Sequence, residues 1–290
     1  MTTYDKRPGF QREATTTNLT EIGIAENVIY TTYGDRVSVE AKAKNLDKFG
    51  GNVVVGETYE TVAQLQGTVS NETYVSTNLI DSIVSTSASD TTQVITIEGH
   101  TIDLLGNLTF VTQDATLTGQ TEVTLTTPLA RAHRAYVKDS GTFNSPYAAL
   151  VGILYIYDNT GGITAGVPNT PAATKLLINA GATTSEKCAT SLSSTDYWIV
   201  TLFGAGVGVV GGNAERVGFR IETRDVRNGG VWIPLSREIV IDTDQNDTSI
   251  QLKPHIIIPK NHDFRVRSRT NANTASVFSE VAGYLAKIIT

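Results

Sequence analysis

Between Arg216 and Thr223 the side chains alternate without a break. Val217, Phe219, Ile221 and Thr223 form one set, and Arg216, Gly218, Arg220 and Glu222 form the other. Period two is the signature of a strand with one buried face. This alternation decides the meaning of the glycines just before it. Gly206, Gly208 and Gly211 match G-x-G-x-x-G behind the apolar run YWIVTLF, and Asp225 lies near the spacing of a ribose-binding acid. A dinucleotide fingerprint needs a helix after its glycines, because the helix N-terminus supplies the N–H groups that hold the pyrophosphate. A strand follows instead. The glycines therefore read as a loop between two antiparallel strands, with positive φ available to them.

The same strand-and-turn pattern extends over most of the chain. TYETVAQL, NLIDSIVS, TQVITIEG, NLTFVTQDATL, TEVTLTT and LARAHRAYVKD are separated by the turn signals EGHT, LLGN, LTGQ and KDSG. In YAALVGILYIYD both alternating sets are apolar, so this strand is expected to be buried on both sides. Further strands follow in TKLLINAG, KCATSL, DYWIVTLF, VWIPLSREIVID, SIQLKPHIII, HDFRVRSRTN and SVFSEVAGYLAKII. Asn228-Gly229 marks a hairpin, and Pro234 places its strand at a sheet edge. Strands about ten residues apart, joined by turns, predict an all-β protein: an antiparallel β-sandwich of jelly-roll-like type.

Residues 1–58 read differently. They have few large apolar side chains and no sustained period, so they are expected to form an extended N-terminal arm. Within it, Val39 to Lys48 fits a short helix stopped by Gly50 and Gly51. An arm of this kind stays unordered or lies on a neighbour. The Gly/Pro-rich stretch 158–174 is the candidate boundary between a β-rich domain, 59–165, and a β-sandwich domain, 166–290, which is expected to be separate from it or continuous with it.

Composition narrows the function. Of 290 residues, 18% are charged and the net charge is −6, which argues against nucleic acid as a partner. Residues 59–165 carry three basic and ten acidic side chains, whereas residues 166–290 carry thirteen and eleven. An acidic middle and a mildly basic end suit contacts between copies. Cys188 is the one cysteine, so no disulfide forms within the chain, and it is expected to pack as a small buried residue. There is no signal-peptide pattern and no apolar run of membrane-spanning length, so neither a membrane nor secretion is expected.

The search for chemistry yields little. His100, His133, His255 and His262 show no metal or catalytic spacing, and surface or turn positions are expected for them. Asp242, Asp244 and Asn246 match the alternating start of a Ca²⁺ loop, but Asp247 stands where glycine is needed and Lys253 where glutamate is needed. A looser Ca²⁺ site of oxygen ligands is the weak remaining candidate there, against a solvated turn. Arg265, Arg267 and Arg269 share one face of a strand. They fit either a solvated outer face or an interface to an acidic neighbour. Tyr155, Tyr157, Tyr197, Trp198 and Trp232 read as core rather than as a glycan platform. No cofactor is implied.

The segment from FGGNVVVGETYETV through the TLTGQTEVTL hairpin to RAYVKDSG and AGVP, with the ending PHIIIPKNHDFRVRSRTNANTASVFSEVAGYLAKII, resembles structural proteins of tailed bacteriophages of cyanobacteria and other marine bacteria. The resemblance covers roughly residues 49–290 and leaves the arm outside. It implies a β-rich virion component, made in the host cytoplasm, with other virion proteins such as the major capsid protein as partners. It implies no catalytic residue. The expected role is a non-enzymatic decoration, cement or minor capsid protein that is homo-oligomeric in the particle. The alternatives are a tail or head–tail component, or a receptor- or glycan-binding module.

Overall fold

The computed structural model describes residues 28–30, 36–38, 44–67, 69–138, 149–211, 216–227, 230–242 and 247–288. The first strands are β1 (Val28–Tyr30), β2 (Arg36–Ser38), β3 (Lys44–Val55), β4 (Glu60–Thr61) and β5 (Ile80–Ser85). Next come β6 (Val94–Ile102), β7 (Leu108–Thr116), β8 (Val123–Leu129), β9 (Arg131–Val137) and β10 (Leu154–Tyr157). After these run β11 (Ile163–Thr164), β12 (Val167–Pro168), β13 (Thr174–Ile178), β14 (Ala189–Ser191), β15 (Asp196–Gly211) and β16 (Arg216–Asp225). The last are β17 (Ile233–Pro234), β18 (Ile239–Asp242), β19 (Asp247–Ile258), β20 (His262–Thr270) and β21 (Thr274–Ile288). A single 3₁₀ turn at Pro171–Ala173 is the only helical element among the described residues, and every paired strand is antiparallel.

Two sheets make the body. In one, β3, β21, β15 and β19 lie side by side. In the other the lanes are β4 with β14, then β20, β16 and β18. In chain order the successive lanes fall in the first, second, first, second, second, first, second and first sheets. This is the strand order of an eight-lane jelly roll. Its core is shared between the sheets. Trp198 and Phe203 on β15 meet Phe264 on β20 and Phe219 on β16 edge to face, at ring distances of 4.8 and 6.2 Å. The alternation from Arg216 onward behaves as expected, with Val217, Phe219 and Ile221 turned into this core. Pro234 sits on the edge strand β17.

The lane holding β4 and β14 is interrupted by a second unit. Its entry and exit are zipped together: Cys188 N donates to Val62 O, Ala63 bridges Lys187, and Gln64 N donates to Glu186 O. Between them lie a four-stranded sheet, β13-β10-β5-β8, and a three-stranded sheet, β7-β6-β9, around a core that includes Ile83, Ile97, Leu154 and Ile178. Tyr155 and Tyr157 of β10 point the other way, into a smaller cluster under the β11–β12 hairpin. So β10 is buried on both faces, although the segment leading into it is not, with Val151 63% exposed.

Several expectations change. Residues 44–48 form the start of β3, not the end of a helix; ten residues of β3 pair with β21, and that ladder outweighs local helix preference. Residues 39–43 lie outside the described residues. The arm is therefore shorter than 1–58, and its Val37 and Ser38 pair with Ile288 and Lys287 of the same chain. The 158–174 stretch is not a linker: it folds as the β11–β12 hairpin, turning through Ala165 and Gly166 at φ 49° and 75°. Nor does 165/166 separate two domains, because β13 pairs with β10 across it. Gly206, Gly208 and Gly211 lie inside β15 rather than in a loop. Gly206 makes room for the Phe278 ring lying across it. Residues 212–215 and the Asn228-Gly229 turn lie outside the described residues.

Candidate functional site

The jelly roll and the inserted unit meet around a cavity of about 770 Å³. β3 contributes Lys48, β6 contributes His100, β9 contributes His133, and the segment after β14 contributes Ser193. Four elements far apart in sequence converge here because the zipped stem holds the inserted unit against the body.

The two histidines are partners. His100 Nδ1 lies 2.8 Å from His133 Nε2, and His100 Nε2 lies 3.2 Å from Ser193 Oγ. Both rings are buried, as is His262, whose Nδ1 donates to Lys260 O. The expected surface and turn positions are thus overturned for His100 and His133, whereas His262, though buried, closes the Lys260–Asn261 turn. Strand register brings His100 and His133 together across β6 and β9, a relation that spacing alone does not reveal. His133 Nδ1 is buried with no hydrogen-bond partner.

Burial and the charge of Lys48 push His100 down to about 3, with Arg131 acting in the same direction and Asp263 against. Burial also holds His133 well below its usual value, helped by His100, Lys48, Lys187 and Arg131. A Ser–His–His chain has the outline of a nucleophile and its base. A base must accept a proton, however, and burial together with Lys48 outweighs the Asp263 carboxylate at His100, while only cations act on His133. The arrangement is a neutral relay in a positive setting.

Lys48 is 7% exposed and makes no ion pair and no side-chain hydrogen bond among the described residues. Burial lowers it to about 8, with Arg134 and Lys187 adding to the effect and Glu98 opposing it. Its neighbour Lys187, by contrast, is satisfied by Glu72, Ala132 O and Lys175 O. The rim is partly apolar, with Leu46, Phe49, Phe110 and Leu285.

The sites expected from sequence lie elsewhere. Arg265, Arg267 and Arg269 do share one face of β20, but the chain itself occupies them. Arg265 donates to Glu222 at 2.9 and 2.8 Å and stacks over Trp232 at 3.8 Å. Arg267 lies 3.8 Å from Glu222, and Arg269 makes a two-point pair with Glu238. Arg265 is buried and Arg267 half-buried against Glu222 of β16, whereas Arg269 stays exposed beside Glu238, so two carboxylates face three guanidiniums. Trp232 is half-buried in this stack, while Tyr155, Tyr157, Tyr197 and Trp198 are core. Asp242 is paired with Arg216 at 3.0 Å; Asp244 and Asn246 lie outside the described residues. No group of three or more His, Cys, Asp or Glu suited to a metal ion occurs among the described residues. Cys188 is buried, and burial pushes its thiol up to about 12.

No protein-family model matches the chain, and no curated protein matches it. Among solved structures it is similar to infectious bursal disease virus, Gt strain, at 10% identity and a TM-score of 0.24, over 94% of this chain and 77% of that one. The Gx strain of the same virus gives 7% identity and a TM-score of 0.19, over 85% and 77%. T=1 particles derived from the virus give 8% and 0.12, over 92% and 80%. Scores this low carry no function to this chain.

Proposed function

We propose that this chain is a non-enzymatic structural subunit of a virus particle, acting as a capsid decoration or minor capsid protein. The supporting observation is the eight-lane jelly roll together with the surface that it leaves uncovered. On its β3–β21 side, Phe49 and Phe278 lie with ring centroids 6.4 Å apart, and Phe49, Val53, Val54 and Phe278 are 50, 70, 57 and 39% exposed. A neighbouring chain would remove this apolar surface from water. Jelly rolls serve viral shells, lectins and cupins alike, so the fold alone does not choose among them. The resemblance of residues 49–290 to marine phage structural proteins supports the shell role. The aromatic side chains that a glycan site would present are here mostly in the core.

Residues 1–27 act in this reading as a tether to neighbouring subunits. Deleting them should leave the sandwich folded, because β3 begins only at Lys44. The test is retention of the truncated protein on purified particles through heat and salt challenge, with a map of the particle to locate the subunit. Retention equal to that of the full chain would end the tether, and absence of the protein from particles would end the virion role. Sedimentation of the isolated chain as a monomer at all concentrations would remove the proposed homo-oligomer.

A further inference from the structure

We infer that the tip of the β6–β7 hairpin in one copy docks on the exposed apolar strip of β3 and β21 in the next copy. This rests on the homo-oligomer reading above and names the two surfaces that form the contact. Turn apexes favour small polar residues, yet two leucines stand at this one. Leu104 is 106% exposed and Leu105 78%. The loop beneath them is held in one shape. Asp103 Oδ1 accepts from the Leu105 and Asn107 N–H groups at 2.9 and 2.8 Å, and Asp103 Oδ2 accepts from Asn107 Nδ2 at 2.9 Å. Gly106 takes the positive φ of 80° that the turn needs. The hairpin base is fixed to the jelly roll, since Leu108 N donates to Asn261 Oδ1 and Ser194 N donates to Leu108 O, both at 2.9 Å. A preformed apolar knob loses little conformational freedom on docking.

The strip of the same copy is out of reach. The hairpin base stands beside Ser194, just before β15 begins at Asp196, and Asp196 pairs with Lys287 near the end of β21. From Lys287 back along β21 to Phe278 is about 30 Å at the rise of a strand. The contact therefore needs a second copy.

Charge argues against the symmetrical alternatives. The strip is acidic around Phe49. Glu280 is its partner on β21, Asp47 shares its strand, and the Glu186 carboxylate lies over Gly51. None of the three has an ion-pair partner among the described residues. Two strips face to face would set these carboxylates against one another, which costs affinity. The tip brings no such load. Arg227, packed on Gly106, is paired with Asp225 at 3.0 Å, and both oxygens of Asp103 are taken by the loop. Two tips end to end would leave the strip in water. Tip on strip covers both apolar surfaces at once. Unlike patches joined in this way make a heterologous contact, which repeats from copy to copy as a ring or a filament.

The test is disulfide trapping of the full chain, which is clean because its one cysteine, Cys188, is buried. Leu105→Cys and Val53→Cys each change an exposed side chain. Mixed and gently oxidised, the two variants should give mainly the disulfide between them, and a chain carrying both changes should give a ladder of higher oligomers. Leu104→Ser with Leu105→Ser should leave the thermal melt unchanged and weaken self-association at least about tenfold in sedimentation. A main product from Leu105→Cys alone or from Val53→Cys alone would overturn the tip-to-strip contact while the homo-oligomer stands. So would a double serine variant that associates like the native chain. A native chain that sediments as a monomer at all concentrations would end both.

Discussion

Arg131 on β9 and Asp263 on β20 form a two-point ion pair, Nε to Oδ1 at 2.9 Å and Nη2 to Oδ2 at 3.0 Å, with side chains 3% and 0% exposed. The pair fastens the inserted unit to the jelly roll. Arg224 and Ser191 donate to the same carboxylate. Burial alone would raise Asp263, but Arg131, Arg224 and the hydrogen bond from Ser191 outweigh it and hold the carboxyl below its usual range. Asp263→Asn leaves Arg131 a buried charge without a counter-ion. The expected loss is about 3–5 kcal/mol, read as a lower urea midpoint. A loss under about 1 kcal/mol would show that the two units hold together without this pair.

The histidine pair makes the fold sensitive to acid. In the unfolded chain a histidine takes up its proton near 6.5; in the folded chain His100 does so only near 3, and His133 is also held well down. The unfolded state therefore binds more protons below 6.5, and stability falls as pH drops from there towards 3. The slope should approach about 1.4 kcal/mol per pH unit for each histidine. Urea unfolding at a series of pH values should show it, and His133→Gln should reduce the slope by about one proton.

Lys48 works in the same sense, in a window at higher pH. Its folded value of about 8 lies below its ordinary 10.5. Between those values the unfolded chain holds a proton that the folded chain has lost, so stability rises with pH across that window. Below it the buried charge is a standing cost of up to about 3 kcal/mol. Lys48→Met should therefore stabilise the protein at neutral pH, with the gain shrinking as pH nears 10.5. A destabilised Lys48→Met at neutral pH would contradict this.

Two glycines should respond differently to the same change. A Cβ on Gly50 would strike main chain at the stem, including Val62 O at 2.6 Å and the Cys188 nitrogen. Backbone zipped on both sides cannot yield, so Gly50→Ala should cost about 3 kcal/mol or more. A Cβ on Gly206 would meet the end of the Phe278 ring, which is 39% exposed and free to swing outward. Gly206→Ala should cost under about 1 kcal/mol. Thermal melts of the two variants compare them directly.

The sequence by itself determined the all-strand character of this protein. Period two at Val217, Phe219 and Ile221 is a local property, because alternate side chains must face opposite sides of a strand. The same logic placed Pro234 on an edge and Tyr155 and Tyr157 in the core. Tertiary structure alone decided where those strands go. Lys44 to Lys48 carry helical preference, yet β21 recruits them as a strand. Gly206 and Gly208 read as a loop until the neighbouring strand places Phe278 and Ser276 over them. The Arg265 row reads as exposed until Glu222 and Trp232 are brought against it from other strands. His100 and His133 show no pattern in the chain, because their contact depends on the register of β6 against β9. Pairing between distant segments is a sum of long-range contacts, and no local window of sequence contains it.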